Sequence, residues 1–190
     1  MDHTVFRTEH RKAPKGKAGT LLYLDFDGVV HHEAVYQHPT KGPYIKTDAP
    51  GHQLFQHVPI LEELLAPYPD VQIVLSTSWA VSPGFAKAAK KLPLELRQRC
   101  IGSTYHSAMD KFLFREAPRG MQVWADVLRR QPRAWLALDD DWLHWPKWAL
   151  DNFVQTHPIL GISAPEVRSE IEQKMKAMFP HQQVYSGKSV

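Results

Sequence analysis

Three short apolar runs along the chain have the length and composition of buried β-strands. Each is rich in leucine, β-branched or aromatic residues and is bounded by polar or turn-forming residues, a pattern typical of strands covered on both faces. A fourth strand is expected in the later segment Val154–Ile162. The three runs are Thr20–Phe26 (TLLYLDF), Val71–Leu75 (VQIVL) and Ala134–Leu138 (AWLAL).

The segments between these runs carry apolar residues at helical spacing. The clearest is Arg119–Arg130, where Val123 and Val127 fall on one side of an amphipathic helix. The tetrapeptide Ser163-Ala-Pro-Glu166 has the form of a capping box and is expected to open a helix that runs to about Met178. Shorter helices are expected at Pro59–Leu65, Pro83–Leu92 and Leu94–Cys100.

Strands that alternate with helices predict an α/β fold, a three-layer sandwich around a mostly parallel sheet. The polar stretch 31–56 contains several prolines and glycines, so it predicts a loop or small hairpin rather than a cap domain. A chain of 190 residues suits one domain, expected over 20–190. Residues 1–19 are expected to form a basic flexible tail.

Composition and charge indicate which partners and which cellular location to expect. The formal net charge is +3, and much of the excess lies in the first nineteen residues, which could attract a polyanion. We expect no membrane partner, because no apolar stretch approaches the roughly 20 residues that cross a bilayer. The polar N-terminus is unlike a signal peptide, and the single Cys100 leaves no internal disulfide; both favour a cytoplasmic location. The sequence gives no indication of the oligomeric state.

Polar residues follow three of the predicted strands at the point where each strand ends. In parallel sheets the ligand site lies beyond the carboxyl ends of the strands, so these residues are expected to meet there. They are Asp25 and Asp27, then Ser76–Ser78, and then Asp139 and Asp140. Asp141 is expected to begin a helix, as its N-cap.

This set of residues is suited to the transfer of a phosphoryl group. One carboxylate of the Asp25/Asp27 pair can attack phosphorus while the other exchanges a proton with the leaving group and then with water. Mg²⁺, which prefers oxygen ligands, would relieve the repulsion between a carboxylate and a phosphate. A cation is also needed to hold the phosphate, and either Arg119 or Lys111 could supply it.

Four segments resemble motifs of the haloacid dehalogenase (HAD) superfamily. LDFDGVV is similar to its first motif, LSTSW to its second and LALDDD to its fourth, while Arg119–Asp140 resembles the third-to-fourth motif stretch of polynucleotide kinase phosphatase domains. Over about residues 20–178 the chain also resembles the HAD domain of the multi-domain Swiss Army Knife RNA repair proteins. Two departures are visible: Arg119 replaces the usual lysine, and Trp79-Ala80 stands where many nucleic-acid-processing relatives have an arginine.

The resemblance implies a Rossmann-like fold with a minimal cap or none, and a role for each matching residue. Asp25 would be the nucleophile, and Asp27 the general acid/base. The phosphate would be bound by Thr77, Ser78 and Arg119, with Lys111 as the alternative cation. The Mg²⁺ ligands would be Asp25, Asp27 through its backbone carbonyl, Asp139 and Asp140.

The function expected on this basis is Mg²⁺-dependent hydrolysis of phosphomonoesters through an aspartyl-phosphate, on terminal phosphates of RNA or DNA. A small-molecule phosphatase or nucleotidase is the first alternative, and a non-catalytic phosphate-binding module is the second. The histidines at 31, 32, 38, 52 and 57 are expected at the surface or the rim of the site rather than around a transition metal. Trp142, Trp145 and Trp148 are expected to pack in the core and rim, with base stacking as the alternative.

Overall fold

The computed structural model describes residues 13–46 and 50–179 and contains a five-stranded parallel sheet. Strand order across the sheet is β5-β4-β1-β6-β7, so the first strand lies at the centre. A separate antiparallel hairpin, β2–β3, follows the first strand. The strands are β1 Thr20–Leu24, β2 Val35–His38, β3 Gly42–Ile45, β4 Gln72–Leu75, β5 Cys100–Ser103, β6 Ala134–Asp139 and β7 Phe153–Gln155.

Helices cover both faces of the sheet. The helices are α1 Val58–Leu65, α2 Phe85–Ala89, α3 Leu94–Arg99, α4 Lys111–Glu116, α5 Arg119–Arg130 and α6 Pro165–Met178. Alternate residues of β1 enter two separate apolar clusters, because successive side chains of a strand point to opposite faces. Leu22 and Leu24 pack with α1 and α6, whereas Leu21 and Tyr23 pack with α5. The predicted three-layer α/β sandwich is therefore confirmed.

The sequence predicts α5 correctly from its first residue to its last. Its buried side includes Val123 and Val127, and it ends where Gln131 takes a left-handed conformation at φ 49°. Gly120 lets the helix approach the chain at Trp145 closely, because a Cβ atom there would lie 2.7 Å from the Cα of Trp145. The small hairpin expected within 31–56 is also present, as β2–β3.

In three other segments the predictions are right only in part. The helix that runs to Met178 and the late strand are present, but the capping box, the bounds of the strand and the helix at Asp141 are wrong. The helix α6 begins at Pro165 with Ala164 as its N-cap and no side-chain cap, since the Ser163 hydroxyl donates instead to the carbonyl of Leu160. The late strand covers only Phe153–Gln155. Asp141 opens no helix: its carboxylate accepts a hydrogen bond from the backbone N–H of Leu143 in a turn, and a 3-10 turn follows at 147–152.

The segment after β4 also differs from the prediction. The region predicted as one helix over 83–92 forms an irregular turn at Ala80–Gly84 and then the short α2. Strand β5 takes up Cys100, which was assigned to the end of the preceding helix. Cys100 is half-buried, and its burial raises the pKa of the thiol to about 12.

The division of the chain at residue 19 stays a prediction, since residues 1–12 lie outside the described part. Two groups of the described stretch before β1 contact the C-terminal end of α5: the backbone N–H of Ala18 donates to the carbonyl of Gln131 at 3.1 Å, and the carbonyl of Lys15 accepts from Arg130. Within the described residues, no helix has the length and apolar content needed to cross a membrane.

Candidate active site

Three strand ends lie level at one edge of the sheet. Leu24 of β1 is in register with Leu75 of β4 and with Leu138 of β6. The next residue of each strand is therefore brought to the same place, and these are Asp25, Ser76 and Asp139. Backbone bonds extend the pairing past the ends, because the N–H of Asp25 donates to the carbonyl of Leu138 at 3.1 Å. The parallel sheet thus converts residues far apart in sequence into one polar site.

Asp25, Asp139 and Asp140 form a compact cluster of carboxylates. One oxygen from each lies within 4.8 Å of the others. Gly28 permits the approach of Asp140: a Cβ atom at that position would lie 2.2 Å from an Asp140 carboxylate oxygen, and its φ of 67° also favours glycine. The hydroxyl of Thr156 donates to the Gly28 carbonyl at 2.6 Å and fixes this turn. The glycine of Asp-x-Asp-Gly is therefore required by packing as well as by the turn.

Arg119, the first residue of α5, joins two of these carboxylates. Its Nη2 lies 3.2 Å from Asp25 Oδ2, and its Nε lies 3.2 Å from Asp139 Oδ2. Its Nη1 donates to Gln122 Oε1 at 3.0 Å, and the Gln122 amide donates in turn to the carbonyls of Phe114 and Ala117, both at 2.8 Å. The guanidinium is thus held by its own helix and by the preceding segment.

Negative charge exceeds positive charge in this cluster. Burial raises the pKa of Asp25 and of Asp139, although Arg119 opposes the shift in both. The charge of Asp27 adds to the rise for Asp25, and the charge of Asp25 adds to it for Asp139. Burial followed by the charge of Asp25 raises the pKa of Asp140 to about 7. Burial alone would lower the pKa of Arg119, but the surrounding carboxylates outweigh it and raise that pKa. Close, buried carboxylates of this kind are stabilised by a bound cation.

The cluster has the donor set of a divalent hard cation. Asp139 Oδ2 is buried and has no hydrogen-bond partner in the described structure; its contact with Arg119 Nε has ion-pair distance but is misaligned for a hydrogen bond. Its lone pairs are therefore available to a metal. Oxygen ligands from three carboxylates suit Mg²⁺, which keeps several waters in its shell. Asp25, Asp139 and Asp140 fit this role.

Asp27 lies apart from this cluster of carboxylates and faces a cleft. Its side chain is 29% exposed and lines a cavity of about 470 Å³ together with Ser78 and Trp79. His31 Nε2 lies 2.9 Å from Asp27 Oδ1, and the indole N–H of Trp79 donates to both carboxylate oxygens at 3.0 and 3.1 Å. Asp27 is therefore more open to the cleft than Asp25 and Asp139, which are buried.

The remaining predicted residues are divided between the cluster and the surface. Thr77 is buried beside Asp25, and its hydrogen bond to that carboxylate opposes the rise of the Asp25 pKa. Ser78 is exposed in the cleft. Lys111 is an exposed residue at the start of α4, whereas Arg119 makes the contacts to the carboxylates. The geometry favours Arg119 as the cation, and the role of each of these residues stays a prediction.

Sequence reasoning missed two residues of the site, His31 and Trp79. Of the histidines expected at the surface or the rim of the site, His31, His32 and His57 are buried, so a surface position is wrong for these three, and His31 contacts the site through Asp27. The tryptophans expected to pack are divided: Trp145 stacks on Phe153 at 4.2 Å between ring centroids, while Trp142 and Trp148 are exposed. The spacing of His31 four residues after Asp27 was a usable signal, but Trp79 is 52 positions away, and its contact depends on the fold.

The parallel sheet, the carboxylates at its strand ends and the cation at the start of a helix define a HAD-type hydrolase. Residues 21–167 match a family model described as the HAD domain in Swiss Army Knife RNA repair proteins. This match spans more than half of the chain, and the chain belongs to that family. No curated protein and no solved structure gives a match to the chain.

Proposed function

We propose that the protein is a Mg²⁺-dependent phosphomonoester hydrolase whose nucleophile is Asp25. The observation that carries this proposal is the position of the Asp25 carboxylate, which lies 3.2 Å from the guanidinium of Arg119 and within 4.8 Å of carboxylate oxygens of Asp139 and Asp140. Arg119 would hold the transferring phosphoryl group as well as Asp25. Mg²⁺ bound by Asp25, Asp139 and Asp140 would neutralise charge on the phosphate and keep the nucleophile ionised.

The residues of this chain divide the reaction into two steps. Asp25 attacks phosphorus and forms an aspartyl-phosphate, while Asp27 gives its proton to the oxygen of the departing group. Asp27 then takes a proton from water, which attacks the same phosphorus and releases inorganic phosphate and the free Asp25 carboxylate. Thr77, Ser78 and nearby backbone N–H groups would bind the phosphoryl oxygens in both steps.

The test uses p-nitrophenyl phosphate with and without Mg²⁺, and it compares the wild type with Asp25→Asn. Asn preserves the shape but lacks the nucleophilic charge, so activity is expected to fall by about 10³-fold or more. Asp151→Asn, at an exposed position in the 3-10 turn, is the matched control and should retain activity. Activity that survives in Asp25→Asn would overturn the proposal, and inactivity of the wild type on every phosphomonoester tried would favour the binding module.

We further propose terminal phosphates of RNA or DNA as the substrates. The cleft beside Asp27 is bordered by the hairpin β2–β3 rather than by a cap domain, and it is lined by the basic residues Lys91 and Arg115 and by Tyr36. Positive side chains attract the phosphates beyond the one that is removed, and an exposed aromatic ring can stack on a base. This arrangement favours a charged, ring-bearing leaving group over a small neutral one.

Oligonucleotides with a 3′- or a 5′-phosphate, compared with free mononucleotides, test the substrate class. Higher kcat/KM is expected on oligonucleotides, and Lys91→Gln should raise KM for them while leaving p-nitrophenyl phosphate unaffected. Lys176→Gln, on the exposed side of α6, is the control for a change of charge alone. Equal or better rates on free nucleotides would instead identify a nucleotidase.

A further inference from the structure

The carboxylate of Asp27 is held by two buried aromatic rings that the reaction described above does not use. His31 has no exposed surface, and Trp79 is only 6% exposed. The two rings lie 6.0 Å apart, centroid to centroid, and both pack against Phe55, at 4.8 Å from His31 and 5.5 Å from Trp79. The orientation of each ring is therefore fixed by packing, and so is the direction of its N–H group.

The hydrogen bonds determine the tautomer of His31. The backbone N–H of Phe55 donates to His31 Nδ1 at 3.3 Å, so Nδ1 is an acceptor and carries no proton. The ring proton is then on Nε2, which donates to Asp27 Oδ1 at 2.9 Å. The backbone N–H of Phe55 and the imidazole of His31 thus form a chain of two hydrogen bonds that ends at the accepting carboxylate of Asp27.

The two oxygens of Asp27 are left in unequal surroundings. Oδ1 accepts from both His31 and Trp79, which occupies the two lone pairs of a carboxylate oxygen. From the residues that the structure describes, Oδ2 accepts only the longer branch of the Trp79 bond, at 3.1 Å. A proton on Asp27 is accommodated at Oδ2 without the loss of either donor.

We propose that His31 and Trp79 are positioning residues that make Oδ2 of Asp27 the oxygen that exchanges the proton with the leaving group and with water. This inference rests on the proposed phosphatase function. Without the two donors the carboxylate can rotate, and the fraction of encounters in which Oδ2 meets the leaving oxygen falls.

The experiment measures kcat/KM on a good and on a poor leaving group, p-nitrophenyl phosphate and an alkyl phosphate. The value of kcat/KM includes only the steps up to departure of the leaving group. A nitrophenolate is a stable anion that departs without protonation, whereas an alkoxide must be protonated by a general acid as it departs. Trp79→Phe and His31→Leu are expected to lower kcat/KM on the alkyl phosphate by about 10- to 100-fold, and on p-nitrophenyl phosphate by much less. His31→Gln, which retains an N–H donor, should restore most of the difference.

Equal losses on both substrates would assign the two rings a structural role only and overturn the proposal, as would no loss on either. Nitrogen-15 spectra of the folded wild type provide a second measurement, in which His31 is expected as the Nε2–H tautomer; the Nδ1–H tautomer would also overturn it. Circular dichroism of each variant verifies folding. Failure here leaves the phosphatase function intact, because that function is decided separately by Asp25→Asn and Mg²⁺.

Discussion

Helix α5 carries a buried group of charged side chains at each end. Carboxylates outnumber guanidiniums in the group at its start, and guanidiniums outnumber carboxylates in the group at its end. At its first residue, Arg119 faces three clustered carboxylates, and within the described residues Arg119 Nε and Asp139 Oδ2 have no hydrogen-bond partner. In its last two turns, Asp126 is buried between two guanidiniums: Arg130 Nε lies 2.6 Å from Oδ2, Arg129 Nε lies 2.9 Å from Oδ1, and the Tyr23 hydroxyl also donates to Oδ2. In the second group the one carboxylate is fully paired within the protein, whereas in the first, three carboxylates share one guanidinium.

The group around Asp126 is therefore expected to stabilise the fold, whereas the group around Asp25 is expected to serve function at some cost in stability. A buried ion pair with satisfied hydrogen bonds costs several kcal/mol when one partner is removed, because the other charge is left unpaired. Removal of one charge from a group of like charges has the opposite effect on stability. Their repulsion raises the free energy of the folded state until a cation binds. Burial, and then the charge of Asp126, also raise the pKa of Tyr23, which keeps its hydroxyl protonated as a donor.

Substitution of Asn for Asp in the two groups should give opposite effects on stability. Asp126→Asn leaves Arg129 and Arg130 without their counter-charge and is expected to lower the free energy of unfolding by about 3–5 kcal/mol. Asp25→Asn removes one of three repelling carboxylates and should leave the metal-free protein as stable or more so. Urea unfolding in the presence of a chelator measures both. Similar losses in the two variants would show that the carboxylates of the active-site edge are not in surplus.

The carboxylates at the strand ends could be predicted from the sequence, because their position follows from the order of strand and aspartate along the chain. A short apolar strand followed directly by an aspartate locates Asp25 and Asp139, and level registers in a parallel sheet bring them together. Helix α5 was accessible because its 12 residues carry a clear apolar side. Patterns of this kind are local, and the fold preserves them.

The parts that sequence reasoning missed depend on contacts between distant segments or on competition for one group. The four residues of β5 follow α3 without a break, so they carry no independent signal. The capping box failed because the hydroxyl of Ser163 is already used by Leu160 in the preceding turn. The choice between Arg119 and Lys111 needed the orientation of α5 relative to the strands. The indole of Trp79 reaches Asp27 only through tertiary packing.

Loss of the cation that contacts the clustered carboxylates should reduce activity more than stability. Arg119→Gln is expected to lower kcat/KM by about 10²–10³-fold, because the guanidinium contacts Asp25 and is placed to bind an incoming phosphate as well. Arg119→Lys preserves the charge without the paired donors and should lose less. Lys111→Gln tests the rival cation and should leave kcat/KM near the wild-type value. A larger loss for Lys111→Gln than for Arg119→Gln would reverse the assignment.

The smallest effect expected is a pH dependence of stability that is confined to the carboxylate cluster. The pKa of Asp140 is raised from 3.8 to about 7, so between these values the folded protein holds a proton that the unfolded chain has released. The free energy of unfolding of the metal-free protein should therefore fall as pH rises through this window, and Asp25 and Asp139 shift in the same direction. In thermal unfolding with a chelator, the Tm of the wild type relative to Asp140→Asn should decrease by a few degrees between about pH 5 and about pH 8, at roughly 2–4 °C per kcal/mol.

Mg²⁺ at the higher pH should raise the Tm of the wild type more than that of Asp140→Asn, because a ligand that binds only the folded state stabilises it. Parallel Tm profiles for the two proteins, with equal responses to Mg²⁺, would mean that Asp140 neither shares the surplus charge nor contributes to the metal site.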